Sequence, residues 1–259
     1  MNEQKPLVVI TGASGGIGAS IAKQAAKQGY RLALVGRSRT RLEKTLESID
    51  STDVQLFPVD IADSNQVYTL FTSIQQTMGP IDVLVNNAGF GRFIDFQEHS
   101  QEDVDQMINV NVNALMHCTR AVLPSMTKRK KGHIINVASQ AGRLPTPKAT
   151  VYAASKHAVI GFSQALRMEV KNDSVYVTLV NPGPVNTPFF DEADPEGTYR
   201  TKVAGMMIDA DQLAAVIVQA FGKNKREINR PIWMHIGAKL YQACPPLVEF
   251  LFKSQFHSK

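Results

Sequence analysis

Ser139, Tyr152 and Lys156 are the residues here with the clearest chemical use, and one stretch, VASQAGRLPTPKATVYAASK, holds all three. Tyr152 and Lys156 are four apart. If the apolar-rich segment from about 151 to 170 is helical, both side chains leave the same face, one turn apart. A free phenol titrates near ~10 and is a poor acid or base at neutral pH, but an ammonium beside it favours the phenolate and lowers that value. Tyr152 could then exchange a proton with a substrate oxygen. Ser139 follows the run His133-Ile134-Ile135-Asn136-Val137-Ala138, which reads as a buried strand ending at a sheet edge, and its hydroxyl could bond the same oxygen. Alone, a Tyr-x-x-x-Lys pair is usually ordinary helix surface.

The scaffold that would position these residues is legible as alternating short apolar runs and longer helical patterns up to about residue 220. This is the pattern of βαβ units feeding a parallel sheet, an α/β fold. Strands are expected at 7–11, 31–36, 54–59, 81–86, 133–138 and 175–180, with a last one near 226–230. No Pro/Gly/Ser linker or repeat divides them, so residues 1–230 read as one domain.

LVVITGASGGIG opens the first unit, with a helix following to about Gln28. Gly12, Gly16 and Gly18 fall directly after the strand and at the helix start, where the backbone must turn tightly and approach a ligand closely. Free N–H groups at a positive helix end would bind a pyrophosphate there, with Ser14 and Ile17 in the same turn; a plain Gly-rich turn is the alternative. The second strand ends Leu34-Val35-Gly36-Arg37-Ser38. A carboxylate at this point would bind the ribose hydroxyls of NAD, whereas Arg37 with Ser38 suits a 2′-phosphate, so NADP(H) is the expected cofactor. Arg37 could instead belong to the exposed helix expected over 40–49. Asp60 could accept from an adenine amino group or cap the helix beginning near Ser64. Asn87, Ala88 and Gly89, in NNAG after the fourth strand, suit a wall against a ribose, although Asn-rich turns are also common without any ligand.

Composition narrows the setting. Cys118 and Cys244 lie far apart with no CxxC or His cluster, so neither a disulfide framework nor a metal site is expected, and a reducing compartment fits. The apolar run ending before Gly12 is too short for a signal peptide or a bilayer span, so a cytoplasmic location is expected. Residues 222–259 carry seven Lys/Arg against Glu227 and Glu249, equal to the whole net charge of +5. So small a patch, without a nucleic-acid motif, reads as solvated surface and not as a DNA or RNA site.

TGASGGIG at 11–18, NNAG at 86–89, Ser139, Tyr152-Ala-Ala-Ser-Lys156 and NPGPVNT at 181–187 occur in an order and spacing that resemble the short-chain dehydrogenase/reductase family, over roughly residues 6–230. The resemblance implies a single Rossmann-type, doubly wound parallel sheet with helices on both faces. By it Tyr152 is the general acid/base, Lys156 lowers its pKa and bonds the nicotinamide ribose, and Ser139 holds the substrate carbonyl. Asn111 is the best match to a proton-relay asparagine, with Asn109 and Asn113 leaving the register open. Pro182 and Gly183 turn the chain, and Val185 and Thr187 contact the carboxamide and phosphates. A homodimer or homotetramer through long helices at about 101–127 and 151–171 is implied too.

The expected activity is NADP(H)-dependent hydride transfer between the nicotinamide and a carbonyl or secondary alcohol. A substrate flap at about 188–208, with Phe189, Phe190, Tyr199, Met206 and Met207 as its apolar side, points to an apolar ketone or aldehyde; these residues could equally pack on the scaffold. Alternatives are a catalytically silent nucleotide sensor and an isomerase or dehydratase on the same cofactor. Residues 231–259 read as an extension packed on the domain or a subunit interface. Its Leu247, Val248, Phe250, Leu251, Phe252 and Phe256, with Lys253 and Lys259, would less readily form a helix on an anionic membrane surface.

Overall fold

The structure, a computed structural model, describes residues 5–246. Seven parallel strands form one sheet in the order β3-β2-β1-β4-β5-β6-β7. β1 (Leu7–Thr11), β2 (Arg31–Gly36), β4 (Val83–Asn86) and β5 (Gly132–Val137) are nearly continuous apolar runs, as expected of strands covered on both faces. β3 (Val54–Pro58) is an edge strand and tolerates a terminal proline; β6 is Val175–Pro182 and β7 Glu227–Arg230. β3 ends one residue before the expected 59, β4 begins two residues after the expected 81, and β6 extends two residues past the expected 180. Asn181 and Pro182 remain in β6 because they pair with Asn229 and Arg230 of β7.

Helices cover both faces. α1 (Gly16–Lys27), α2 (Arg39–Glu47) and α9 (Ala210–Val218) bury Ile21, Leu42 and Ile217 with Ile10 and Leu34 of the sheet. On the other face α3 (Ser64–Met78), α5 (Ala114–Arg129) and α6 (Thr150–Glu169) contribute Phe71, Ile74, Cys118 and Leu166 to a second core with Val9 and Leu84. The one long helix expected over 101–127 is broken. α4 (Gln101–Ile108), set by a Ser100–Asp103 capping box, runs into a π-helical segment, Asn109–Asn113, before α5 begins. Two short helices, α7 (Phe189–Ala193) and α8 (Thr198–Val203), lie in the 188–208 segment, and α10 (Ile232–Ala243) packs against β7.

β1 lies between β2 and β4, so the chain's winding reverses beside it. The loops leaving the carboxyl ends of β1 and β4 therefore splay apart and open a crevice.

Candidate active site

A cavity of about 530 Å³ occupies that crevice, running from the turn after β1 to α6 and the 188–208 segment. At its first end Gly12 takes φ +66°, and a Cβ there would lie 2.8 Å from the Ala88 Cα. Thr11 Oγ1 accepts from the Asn87 and Ala88 N–H groups at 3.1 Å each, while Asn87 Nδ2 donates to the carbonyls of Thr11 (3.1 Å) and Gly12 (3.2 Å). Asn87 thus clamps the turn as well as lining the cavity. Gly18 is not in the cavity wall. It lies beneath the turn, where a Cβ would run into the Gly12 carbonyl oxygen and come within 2.6 Å of Asn87 Nδ2.

The first turn of α1 has neither a side-chain cap nor an acidic residue, whereas α2 and α3 are capped by Ser38 and Asp63. A Cβ on Gly15 would meet nothing within 4 Å. Uncapped N–H groups beneath open space, lined by Ser14, Gly15, Gly16 and Ile17, fit a dinucleotide pyrophosphate.

Farther along, Arg37, Arg41, Val59 and Asp60 line the cavity. Ser38 does not: its hydroxyl accepts from the Arg41 N–H at 3.3 Å as the N-cap of α2, and that cap presents Arg41 to the cavity. Asp60 is not the cap of α3. It accepts from the Ala62 N–H at 3.0 Å, and Asp63 caps the helix through Asn65 and Gln66.

At the opposite end β5 delivers Ser139 and α6 delivers Tyr152 and Lys156, all three nearly excluded from solvent. Lys156 Nζ donates to the Val137 carbonyl at 3.0 Å and stands 5.7 Å from the centre of the Tyr152 ring. Burial pushes the Tyr152 phenol up to about 12, with Tyr199 adding to the rise and the Ser139 hydroxyl opposing it. The Lys156 ammonium is pushed down by burial to about 8. The phenol is therefore not lowered here: desolvation outweighs an ammonium committed to a carbonyl.

Asn111 lies in the π-helical segment, fully buried. Its Oδ1 accepts from the Phe90 N–H at 2.9 Å, and its Nδ2 donates to the Phe90 carbonyl (2.8 Å) and Ser155 Oγ (3.0 Å). Ser155 in turn donates to the Tyr152 carbonyl at 2.7 Å. Asn109 faces elsewhere, donating to the Ala62 carbonyl, and Asn113 is exposed, so Asn111 alone of the three joins this end of the site.

Aromatic rings close over the phenol. Phe93 and Phe189 each lie 5.7 Å from the Tyr152 ring, and Tyr199 lies 4.9 Å from Phe93. The Phe93 N–H donates to the Ala193 carbonyl at 2.8 Å, tying the loop after β4 to α7. Phe189, Phe190 and Tyr199 line the cavity with Pro182, Gly183, Val185 and Thr187; Met206 and Met207 do not, and Met206 is exposed. Sequence reasoning missed Gly15, Arg41, Phe93 and Met234. The aromatics of FGRF directly after NNAG are the available signal for Phe93; Met234 comes from a remote helix with no local signal.

The profile described as short chain dehydrogenase matches residues 6–197. An uncharacterized oxidoreductase of Staphylococcus saprophyticus is 39% identical over 194 residues, covering 74% of this chain and 83% of its own. A short chain dehydrogenase/reductase from Burkholderia phymatum, solved in complex with NAD, superposes with a TM-score of 0.86 over 95% of this chain and 96% of its own; at 24% identity it shows a common fold. An alcohol dehydrogenase from Thermococcus sibiricus, complexed with 5-hydroxy-NADP, is 27% identical with a TM-score of 0.77, covering 87% of this chain and 96% of its own.

Proposed function

The chain belongs to the short-chain dehydrogenase/reductase family, and from that membership we propose an NADP(H)-dependent oxidoreductase acting on the carbonyl or secondary alcohol of an apolar substrate. The observation that carries this reading is convergence. One cavity joins an uncapped helix end and two arginines to a buried Ser139–Tyr152–Lys156 cluster.

The α1 N-terminus and the Gly12–Gly16 turn would hold the pyrophosphate, and Arg37 with Arg41 the 2′-phosphate. Asp60 would meet the adenine, Ala88 and Gly89 the ribose, and Pro182, Gly183, Val185 and Thr187, which line the same cavity, the carboxamide. When bound, the nicotinamide supplies the hydride for reduction or accepts it in oxidation. In reduction Tyr152 would give its phenolic proton to the carbonyl oxygen, and Ser139 would donate a hydrogen bond to the same atom. Lys156 would steady the phenolate left behind and bond the ribose, while Asn111 holds Phe90 and, through Ser155, the backbone of Tyr152. Burial keeps the phenol protonated in the resting site, which is the form that reduction consumes. Residues 188–208 act as the flap: Phe189, Phe190 and Tyr199 exclude water and favour a ketone or aldehyde without charge beside the carbonyl.

Thermal unfolding with nucleotide tests the cofactor assignment. NADPH at a hundred times its Kd should stabilise the fold by about 2.7 kcal/mol, with NADH at the same concentration giving much less. The Arg37→Glu/Arg41→Glu variant should lose the NADPH advantage. Equal stabilisation of the wild type by both would remove the arginines from this role.

A further inference from the structure

We propose that the outer face of α10 is a docking surface for an anionic lipid membrane. α10 carries apolar side chains on two opposite sides. Its inner side buries Ala238 and brings Met234 into the wall of the active-site cavity. On the outer side Ile232, Trp233, Ile236 and Leu240 are 54–59% exposed. At roughly 100° per residue these four occupy an arc of about 100° opposite Met234 and Ala238. A helix apolar on both sides needs apolar cover on both, and the described residues cover one. Among the described residues the other exposed large apolar side chains, Tyr68, Phe96, Met168 and Met206, fall on separate elements, so the α10 patch is not the protein's general surface.

Two features select lipid as the occupant. A tryptophan among aliphatic side chains, with Lys239 at the margin of the arc, is the composition that settles at a membrane interface. The chain leading into α10 also carries Lys223, Lys225, Arg226 and Arg230, while its one acid, Glu227, is engaged by Arg143 at 2.8 Å. Cations this close in the sequence complement anionic headgroups. A second copy of the chain would set like charges against each other. The sequence that continues beyond residue 246 is itself apolar and basic, with Lys253 and Lys259, and so matches the same partner. No helix among the described residues is long and apolar enough to cross a bilayer, so α10 would rest on the surface.

Trp233 is the only tryptophan of the chain, so its emission reports directly on the patch. With the full chain and vesicles of phosphatidylglycerol and phosphatidylcholine, Trp233 emission should shift to the blue, be quenched by brominated lipid, and accompany co-flotation of the protein. Binding should be roughly tenfold weaker or more on pure phosphatidylcholine, and also for Ile236→Ser/Leu240→Ser. That variant should still be stabilised by NADPH, which shows it folded. Unchanged emission without flotation, or equal binding by the variant, would overturn the proposal. So would emission already blue and shielded from acrylamide before lipid is added: at monomer mass it would mean cover by the chain's own C-terminal residues, at dimer mass cover by a second copy.

Discussion

Burial moves Tyr152 and Lys156 in opposite directions, and each shift has a consequence for a single residue. Lys156 is held near 8, below its ordinary 10.5. Under about pH 8 the folded chain must keep a buried ammonium that the unfolded chain keeps in water; above 10.5 both are neutral. Lys156 therefore costs stability at low pH, and the cost fades as the pH rises from about 8 to 10.5. The shift corresponds to on the order of 3 kcal/mol. Without nucleotide, Lys156→Met should melt higher than wild type at pH 7, lose that gain by pH 10.5, and reduce no substrate; a lower melting point at pH 7 would contradict the buried charge. The types and spacing of Ser139, Tyr152 and Lys156 made their grouping legible in the sequence. The direction of the phenol's shift was not, because desolvation depends on Phe93, Phe189 and Tyr199 closing over it from other loops.

Among the elements, the π-helical segment between α4 and α5 shapes the catalytic end. It points Asn111 inward, and that side chain satisfies both backbone groups of Phe90 and the Ser155 hydroxyl. Asn111→Ala should cost about 2–4 kcal/mol by leaving these groups unpaired, and should raise KM by loosening the Phe90–Phe93 loop. Chemical denaturation at unchanged m reads the first effect and steady-state kinetics the second. The turn after β1 offers a sharper contrast. Gly18→Ala should abolish stabilisation by NADPH, since its Cβ displaces the Gly12 carbonyl. Gly161→Ala, in α6 with nothing within 4 Å of the new Cβ, should instead stabilise the fold by about 0.5–1 kcal/mol. Thermal shifts with and without NADPH distinguish the two. The period of the apolar runs exposed six strands, and the seventh was placed within a residue. The break in the 101–127 helix was hidden, because Asn-Val-Asn-Val-Asn fits a helical face until tertiary bonds to Phe90 and Ala62 select another winding.

At the scale of the whole molecule the sheet order does most of the positioning. Reversal of winding beside β1 opens one crevice, and residues from β1, β4, β5, α6 and the 188–208 segment meet in it although they are spread over most of the chain. The alternation of strands and helices implied a parallel sheet, and the family resemblance its double winding, whereas the entry of Met234 from α10 depended on packing that no local pattern records. The reduction of an apolar ketone by NADPH, with Tyr152 as proton donor, is tested most directly by comparing wild type and Tyr152→Phe across a panel of such ketones. Wild type should consume NADPH with at least one of them, and the variant should lose about 10²–10⁴-fold in kcat while binding NADPH as before. Undiminished turnover by Tyr152→Phe would contradict the account.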